Sequence, residues 1–266
     1  MRIAVLGTGN MGRALIGGLC KAYGESVRIS AFDKSAEALE GLGKDVEIIE
    51  PGKWKEAQFI PDVVVLSVKP ADMGSVLELL ASSAQEFAYL TISVAAGISI
   101  SFMTEKLGGA ARVCRVMPNT PALVGEGMSA YALSSGCTDE DSQRVEYIFN
   151  ACGRVINVNE NLMNAVTGLS GSGPAFVYSF IEALAEGGVS AGLPYKTALE
   201  AAAQTVLGAA RMVQSTGEHP SVLKSKVMSP GGTTAHGLLA LERNAFRHAV
   251  EQAVLQASSR SAQLGI

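Results

Sequence analysis

The sequence predicts an α/β protein in which a doubly wound parallel sheet is followed by an all-α C-terminal region. Short β-branched apolar runs alternate with helix-period segments up to about residue 159, which is typical of a parallel sheet with helices on both faces. The strand signal then stops, and alanine-rich helical segments follow. Apolar residues are 48% of the 266 residues and charged residues 17%, so the composition favours a large buried core and excludes a disordered chain. We therefore predict two domains, residues 1–159 and 160–266.

Periodicity predicts the elements of each domain in order. Strands are predicted over residues 3–6, 27–32, 46–49, 63–68, 89–94, 112–117, 128–133 and 154–158. Helices of the first domain are predicted from Met11 to about Gly24, from Ser35, over residues 99–107, and from Thr138, where Asp141 takes a capping-box position. Helices of the second domain are predicted over residues 174–190, 194–215, 221–228 and 234–264.

Charge and cysteine content exclude several classes of function. With 21 basic and 25 acidic residues, the net charge of −4 offers no electrostatic basis for binding nucleic acid or an anionic membrane. The uncharged stretches 87–104 and 162–181 are interrupted by serine and glycine, and the second also by proline, so they do not match a membrane span. The four cysteines form no CxxC pair and lack ligand spacing with the histidines, so we expect reduced thiols, no metal site and a cytoplasmic protein. The low charge favours a surface covered by a second subunit.

A glycine-rich motif lies directly between the first strand and the first helix. Residues 7–12 read GTGNMG and match the GxGxxG pattern of Rossmann-type dinucleotide sites. In this context Gly7 makes the tight turn, Gly9 allows a pyrophosphate to approach the backbone, and Gly12 packs the helix against the strand. The predicted contacts to the cofactor are Leu6, Gly7, Thr8, Gly9, Asn10, Met11 and Gly12.

The residues after the second strand leave the cofactor preference open. Asp33 at this position would bind the ribose 2′-OH of NAD and repel a 2′-phosphate. Lys34 and Ser35 could instead hold that phosphate, with Asp33 turned aside. We expect all three residues to contact the cofactor, whichever dinucleotide it is.

Other segments follow later strands, at the sheet edge where doubly wound folds bind ligands. The candidate cofactor residues there are Ser67, Val68, Lys69, Pro70, Ala95, Ala96, Gly97 and Asn119. The segment 168–174, GLSGSGP, marks the entry to the helical domain. Any one of these segments could be an ordinary turn, but their arrangement after successive strands favours a cofactor groove.

The helical domain contains the sequence SPGGTT at residues 229–234, before a long predicted helix. A proline and two glycines before a helix expose backbone N–H groups at its positive end, which suits a carboxylate. The two threonines add hydroxyl groups at the same place. An elaborate helix cap is the structural alternative. The candidate substrate residues are Ser229, Gly231, Gly232, Thr233 and Thr234.

Taken together, these motifs resemble the pyrroline-5-carboxylate reductase family over essentially the whole chain. The resemblance rests, in order, on GTGNMG, VKP, VAAG, MPNTPALVGEGM, VTGLSGSGPAFVY, TGEHP and SPGGTTAHGLLALERNAFRHAV. It implies NAD(P)H-dependent reduction of the C=N bond of Δ1-pyrroline-5-carboxylate to L-proline, the last step of proline biosynthesis. It also implies a catalytic Thr234 that hydrogen-bonds the ring nitrogen and a Glu160 close to the substrate.

The resemblance further implies NADP(H) as cofactor, with NAD(H) as the alternative, and a helical domain that forms dimers or rings of dimers. Two other interpretations are weighed against it. A β-hydroxyacid dehydrogenase of the 6-phosphogluconate type would need a catalytic lysine on the first helix after the sheet, and residues 160–190 contain none. A redox sensor that binds dinucleotide without turnover would not need the SPGGTT turn.

Overall fold

A computed structural model describes residues 1–265. The chain forms two compact units, one made of Met1–Ser172 together with residues 256–265 and the other of Gly173–Leu255. The first unit contains the whole sheet, and the second is helical. The domain boundary predicted at residues 159 and 160 stays a prediction.

The sheet of the first unit has eight strands. They are β1 (Arg2–Leu6), β2 (Arg28–Phe32), β3 (Val46–Ile48), β4 (Val63–Leu66), β5 (Leu90–Ser93), β6 (Val113–Met117), β7 (Gly127–Leu133) and β8 (Gly153–Asn157). Their order across the sheet is β3-β2-β1-β4-β5-β6-β7-β8, and every neighbouring pair is parallel except β6 and β7. The doubly wound α/β class is therefore confirmed. Strand β7 reverses direction because the link from β6 contains only a short 3-10 turn, Thr120–Val124, whereas a parallel crossover needs a dozen or more residues.

Six helices accompany the sheet in the described part of the first unit, together with the end of the last helix of the chain. They are α1 (Asn10–Tyr23), α2 (Ala36–Leu39), α3 (Met73–Phe87), α4 (Ile100–Leu107), α5 (Asp139–Asn150) and α6 (Met163–Val166). The capping box that opens α5 is present: the Thr138 hydroxyl accepts from the Asp141 N–H, and the Asp141 carboxylate accepts from the Thr138 N–H. Helix α3 was not predicted, although its buried residues Met73, Leu77, Leu80 and Ala84 follow a helical period.

The sheet separates two hydrophobic cores. Because successive residues of a strand point to opposite faces, Ile3 and Val5 pack with α1 and α5, while Ala4 and Leu6 pack with α3 and α4. Burial on both faces explains why the central strands are continuous apolar runs. The carboxyl ends of β1, β2 and β4 are thereby held at one edge, where the candidate site lies.

The second unit contains α7 (Gly173–Ser190), α8 (Tyr195–Thr216), α9 (Pro220–Lys226), α10 (Thr233–Arg243) and the first part of α11 (Phe246–Leu264). The prediction of one helix over residues 234–264 is wrong, because the helix is interrupted between α10 and α11. Ala245 has a left-handed φ of 54°, and the Asn244 side chain donates to the Ala240 carbonyl at 2.9 Å. An asparagine that hydrogen-bonds the preceding turn competes with helix continuation.

Small residues line the packing of α7 against α8. Ala185, Ala198 and Ala202 are buried there, and a Cβ on Gly188 would lie 3.0 Å from the Ala198 Cβ. The same unit leaves many large apolar side chains exposed, among them Val189, Leu193, Leu207, Met212, Leu239, Val250 and Leu255. Exposed apolar surface on this scale is typical of a protein–protein interface. Within residues 1–265, no helix combines the length and hydrophobicity needed to cross a bilayer.

Candidate functional site

A cavity of about 450 Å³ lies at the carboxyl ends of β1, β2 and β4. Its lining includes nine of the predicted cofactor residues: Leu6, Gly7, Gly9, Asp33, Lys34, Ser35, Ser67, Val68 and Lys69. The other lining residues carry no motif that predicts them: Phe32, Ala38, Pro51, Asp72, Ser75, Val76 and Leu79. Several of these come from the start of α3, and the apolar periodicity of residues 73–84 could have revealed that helix.

The three glycines of the GTGNMG motif have different geometric reasons to be glycine. Gly7 has a φ of +94°, and a Cβ there would lie 2.5 Å from the Ser67 carbonyl oxygen. A Cβ on Gly12 would overlap the Gly7 carbonyl oxygen. A Cβ on Gly9 would meet no protein atom within 4 Å, so Gly9 leaves open space beside the cavity. Helix α1 starts at Asn10 with no side-chain cap, which leaves its first N–H groups available to an anion. This arrangement fits a dinucleotide pyrophosphate.

The Asp33 carboxylate is turned into the phosphate loop. Its Oδ2 accepts from the Thr8 N–H at 2.8 Å and from the Thr8 hydroxyl at 3.4 Å, and its Oδ1 accepts from the Ser35 N–H at 3.0 Å. Burial on its own would raise the pKa of the Asp33 carboxyl. The hydrogen bonds from Ser35 and Thr8, with the nearby Lys34 charge, outweigh burial and lower that pKa below its usual value. Both carboxylate oxygens therefore accept hydrogen bonds that stabilise the loop.

This lowered pKa predicts an acid-dependent loss of stability. The charged Asp33 contributes fully above its ordinary pKa of about 3.9, and the contribution is lost as the pH falls through the lowered value. We expect Asp33→Asn to reduce the steepness with which the free energy of unfolding falls below about pH 4. Urea denaturation at a series of pH values measures this. An acid-side slope equal to that of the wild type would contradict the role given to Asp33.

Thr8 is buried, with 1% of its surface exposed, and its hydroxyl donates to the Ala38 carbonyl at 2.6 Å. The Arg13 guanidinium donates to the carbonyls of Thr8, Ala38 and Glu40. These bonds join the phosphate loop to the segment after β2. The conformation of the loop is thus stabilised by the protein's own hydrogen bonds. Among the other predicted contacts, Asn10 and Ala96 are exposed, Met11 is half-buried, and Pro70 begins a 3-10 turn, Pro70–Asp72.

The loop after β5 is packed against the end of the chain. Gly97 has a φ of +79°, and a Cβ there would lie 3.1 Å from the Leu264 carbonyl oxygen. Ala95 is buried, and its N–H donates to the Ser93 hydroxyl at 3.2 Å. The Ser261 hydroxyl also donates to the Asn164 side chain at 2.9 Å, so the end of α11 is bound to the sheet unit at two places.

The Asn119 amide holds a π-helix, Thr167–Gly171, that the sequence did not predict. Its Nδ2 donates to the Ser170 carbonyl at 3.0 Å, and its Oδ1 accepts from the Met128 N–H at 2.8 Å. Gly171 allows the Met117 side chain to approach, since a Cβ there would lie 2.7 Å from Met117 Cε. A short π-helix is uncommon and is frequent at functional sites. Cofactor contact by Asn119 stays a prediction.

Glu160 lies at the start of a 3-10 turn that follows β8. Its Oε1 accepts from the Ile100 N–H at 2.8 Å, where α4 begins, and from Arg115 Nη1 at 3.3 Å. The glutamate therefore stabilises the start of α4 and balances the Arg115 charge. Its Oε2 makes no hydrogen bond with another described residue.

The SPGGTT segment forms a sharp turn that leads into α10. Gly231 has a φ of +70°, and Gly232 is the N-cap, whose N–H donates to the Ser229 carbonyl at 3.0 Å. No side chain caps the helix, so the N–H groups of the first three residues, Thr233 to Ala235, have no acceptor among the described residues. The hydroxyls of Thr233 and Thr234 make no hydrogen bond to a described residue. The turn therefore presents a cluster of unused donors suited to a carboxylate.

Within residues 1–265, no three His, Cys, Asp or Glu side chains form a group that could hold a metal ion. The four cysteines are free thiols, and burial raises the pKa of Cys152 to about 11. A thiol with so high a pKa is a weak nucleophile at neutral pH.

Comparison with known proteins covers both parts of the chain. The family described as "Pyrroline-5-carboxylate reductase dimerisation" matches residues 160–264, and the one described as "NADP oxidoreductase coenzyme F420-dependent" matches residues 2–97. The chain is 42% identical to the pyrroline-5-carboxylate reductase of Methanosarcina acetivorans, over 99% of this chain and 98% of the relative. It is 38% identical to that of Escherichia coli, with the same coverage.

Two solved structures agree with these matches. A pyrroline-5-carboxylate reductase from Coxiella burnetii superimposes with a TM-score of 0.92 at 34% identity, covering 99% of this chain and 98% of that one. A Plasmodium falciparum pyrroline carboxylate reductase with NADP bound superimposes with a TM-score of 0.86 at 32% identity, covering 100% and 98%.

The doubly wound sheet, the GxGxxG loop and the cavity beside it define an oxidoreductase of the Rossmann type, and its helical part matches a family described by its dimerisation. The likeness extends over the full length of its relatives. The chain belongs to the pyrroline-5-carboxylate reductase family, which confirms the resemblance stated from its motifs.

Proposed function

We propose that this chain reduces the C=N bond of Δ1-pyrroline-5-carboxylate to L-proline with NAD(P)H, the last step of proline biosynthesis. The observation that carries the proposal is the cluster of unused donors at the start of α10, in a chain that also has a dinucleotide cavity. The nicotinamide supplies the hydride when bound. The work left to the protein is to anchor the substrate, orient it and balance its charge.

The substrate carboxylate binds the free N–H groups at the start of α10. Ser229, Gly231 and Gly232 shape the turn that exposes those groups. The Thr233 hydroxyl adds a donor, and the Thr234 hydroxyl hydrogen-bonds the ring nitrogen. A threonine hydroxyl is a weak acid, but an imine is basic enough to arrive protonated, so orientation by Thr234 suffices.

Glu160 contributes negative charge near the substrate, which favours the iminium form that accepts a hydride. What supports this role is that one of its two oxygens makes no hydrogen bond within residues 1–265. The Arg115 contact lowers the net charge at this place, so the electrostatic effect of Glu160 is smaller than that of an unpaired carboxylate.

The cofactor occupies the cavity beside the GTGNMG loop, with its pyrophosphate at Gly9 and the start of α1. Lys34 and Ser35 hold the 2′-phosphate of NADP(H). The hydrogen bonds that tie the Asp33 carboxylate to the loop N–H groups support this assignment. NAD(H) is the alternative cofactor. The remaining predicted contacts, Asn10, Met11, Pro70, Ala95, Ala96, Gly97 and Asn119, continue the groove along the same edge of the sheet.

The helical unit associates with a second copy of the chain, as dimers or as rings of dimers. Its exposed apolar side chains support association, since such a surface is unfavourable in water. We also propose that the protein acts in the cytoplasm on a small-molecule substrate, without nucleic-acid or membrane partners. Four unpaired thiols suit a reducing compartment.

Steady-state oxidation of NADPH and of NADH with pyrroline-5-carboxylate tests the activity. We expect absorbance loss at 340 nm that depends on the substrate, with proline formed in equal amount. Absence of turnover with both dinucleotides would overturn the proposed reaction. Bound dinucleotide without turnover would instead favour the redox-sensor interpretation.

A further inference from the structure

An ion pair lies in the wall of the dinucleotide cavity, between the segment after β2 and the start of α3. Lys34 Nζ is 3.0 Å from both carboxylate oxygens of Asp72. The Lys34 side chain is 77% exposed and that of Asp72 is 35% exposed. An ion pair this exposed is weak, so a bound anion can readily take over the lysine.

The charged residues that line the cavity carry equal positive and negative charge. Lys34, Lys69, Asp33 and Asp72 are the charged residues of its lining. The Asp33 carboxylate accepts from the N–H groups of Thr8 and Ser35, which hold it in place and stabilise its negative charge. Asp72 has only the Lys34 contact for its carboxylate among the described residues. It is therefore the acidic group whose interactions must change if a further anion binds to Lys34.

We propose that Asp72 is a specificity-determining residue that limits the preference for NADPH by competing with the 2′-phosphate for Lys34. The inference rests on the proposed function, in which Lys34 and Ser35 hold that phosphate. A 2′-phosphate at Lys34 must displace Asp72 or share the ammonium group with it, and in either case it lies near the negative charge of Asp72, which weakens binding. The uncharged 2′-hydroxyl of NADH meets neither effect. Asp72 therefore weakens the binding of NADPH and leaves the binding of NADH unchanged.

Sequence patterns for dinucleotide preference would not identify this residue. They examine the end of the second strand, here Asp33, whereas Asp72 is 38 positions beyond Lys34 in the chain. Asp33 orders the loop for either dinucleotide, and Asp72 acts on the phosphorylated one.

Equilibrium titration of the full chain with NADPH and NADH, without substrate, tests the proposal. We expect Asp72→Asn to bind NADPH about two- to fivefold more tightly, the range set by the strength of an exposed ion pair, and to bind NADH as the wild type does. Lys34→Gln should weaken the binding of NADPH and leave the binding of NADH unchanged. Isothermal calorimetry gives both dissociation constants without relying on turnover.

A matched ion pair outside the cavity provides the control. Lys55 Nζ lies 3.0 Å from Glu86 Oε1, and both side chains are exposed. Glu86→Gln should leave both dissociation constants unchanged. Because an acid at a helix N-terminus stabilises the helix, a thermal melt of Asp72→Asn accompanies the titration, and the folded variant must still bind NADH normally.

The outcomes separate this inference from the proposed function. If the wild type binds neither dinucleotide, the proposed function fails. If Lys34→Gln leaves the NADPH-to-NADH ratio unchanged, the placement of the phosphate is wrong and the inference fails with it. A third outcome is that Lys34→Gln changes the ratio of the two dissociation constants, whereas Asp72→Asn leaves this ratio unchanged or weakens the binding of NADPH. In that case only the role of Asp72 is overturned.

Discussion

Replacing Thr234 with alanine is expected to lower kcat by about 10²- to 10³-fold, the loss seen when one hydrogen-bonding group at a reacting centre is removed. The affinity for dinucleotide should stay within about twofold of the wild type, because the change removes no group that lines the cavity. Stability should also be preserved, because the Thr234 hydroxyl makes no hydrogen bond to a described residue. Alanine is in addition the better helix former.

Other threonines of the chain show why this hydroxyl is unusual. The hydroxyls of Thr104, Thr167, Thr205 and Thr216 each donate to the carbonyl four residues earlier. Thr234 is the second residue of α10, so the residue four positions before it, Pro230, lies in the turn. Its hydroxyl is therefore free for a ligand.

The Thr234 experiment has two matched variants. Thr205→Ala removes an exposed threonine of α8 and should leave kcat unchanged, while Thr234→Ser keeps the hydroxyl and should recover most of the activity. Steady-state kinetics, dinucleotide titration and thermal melting give the three readouts. Equal loss of kcat and dinucleotide affinity would assign Thr234 a structural role.

Replacing Gly9 with valine is expected to weaken the binding of both NADPH and NADH by about 10- to 100-fold, since overpacking a close contact costs about 1–3 kcal/mol. The protein itself should tolerate the side chain. Gly9 has a φ of −66°, which any residue adopts, and a Cβ there would meet no protein atom within 4 Å. The new side chain occupies the space through which we expect the pyrophosphate to approach.

Gly17 is the control for this substitution, because it lies on the exposed side of the same helix and is equally free of neighbours. Gly17→Val should leave both dissociation constants unchanged. Calorimetric titration measures the affinities, and thermal melting shows whether each variant folds. Gly9→Val with wild-type affinity would place the pyrophosphate elsewhere, whereas loss of affinity together with unfolding would assign Gly9 to the fold.

Much of the fold was predictable because its signals are local. The capping box at Thr138 involves residues three positions apart, and the GTGNMG loop uses six consecutive residues between a strand and a helix. The break between α10 and α11 was missed, although Asn244 marks it, because residues on both sides keep a helical pattern. The antiparallel β7 was missed because its own residues do not encode direction. Direction follows from the short link that precedes it.

The candidate site was predictable as a set of residues but not as a set of contacts. The sequence identifies Asp33 and Lys34 as cofactor residues, but it does not decide which of them contacts the 2′ position of the ribose. In the structure both Asp33 oxygens accept from N–H groups of the loop, which favours the arrangement in which Lys34 and Ser35 hold the phosphate. Asp72 was absent from the prediction because helix α3, which it precedes, was itself not predicted.

The sequence by itself determined the fold class, the GTGNMG loop and the family, because each depends on short motifs whose physics acts over a few residues. Only the tertiary structure decided which groups are already partnered. Thr8 and Asp33 are 25 positions apart, Lys34 and Asp72 are 38 apart, and Ile100 and Glu160 are 60 apart. Such pairs form only when the sheet brings distant segments to the same edge. A side chain that is free in the motif can therefore be hydrogen-bonded in the fold, as Asp33 is, while the Thr234 hydroxyl has no hydrogen-bond partner within residues 1–265.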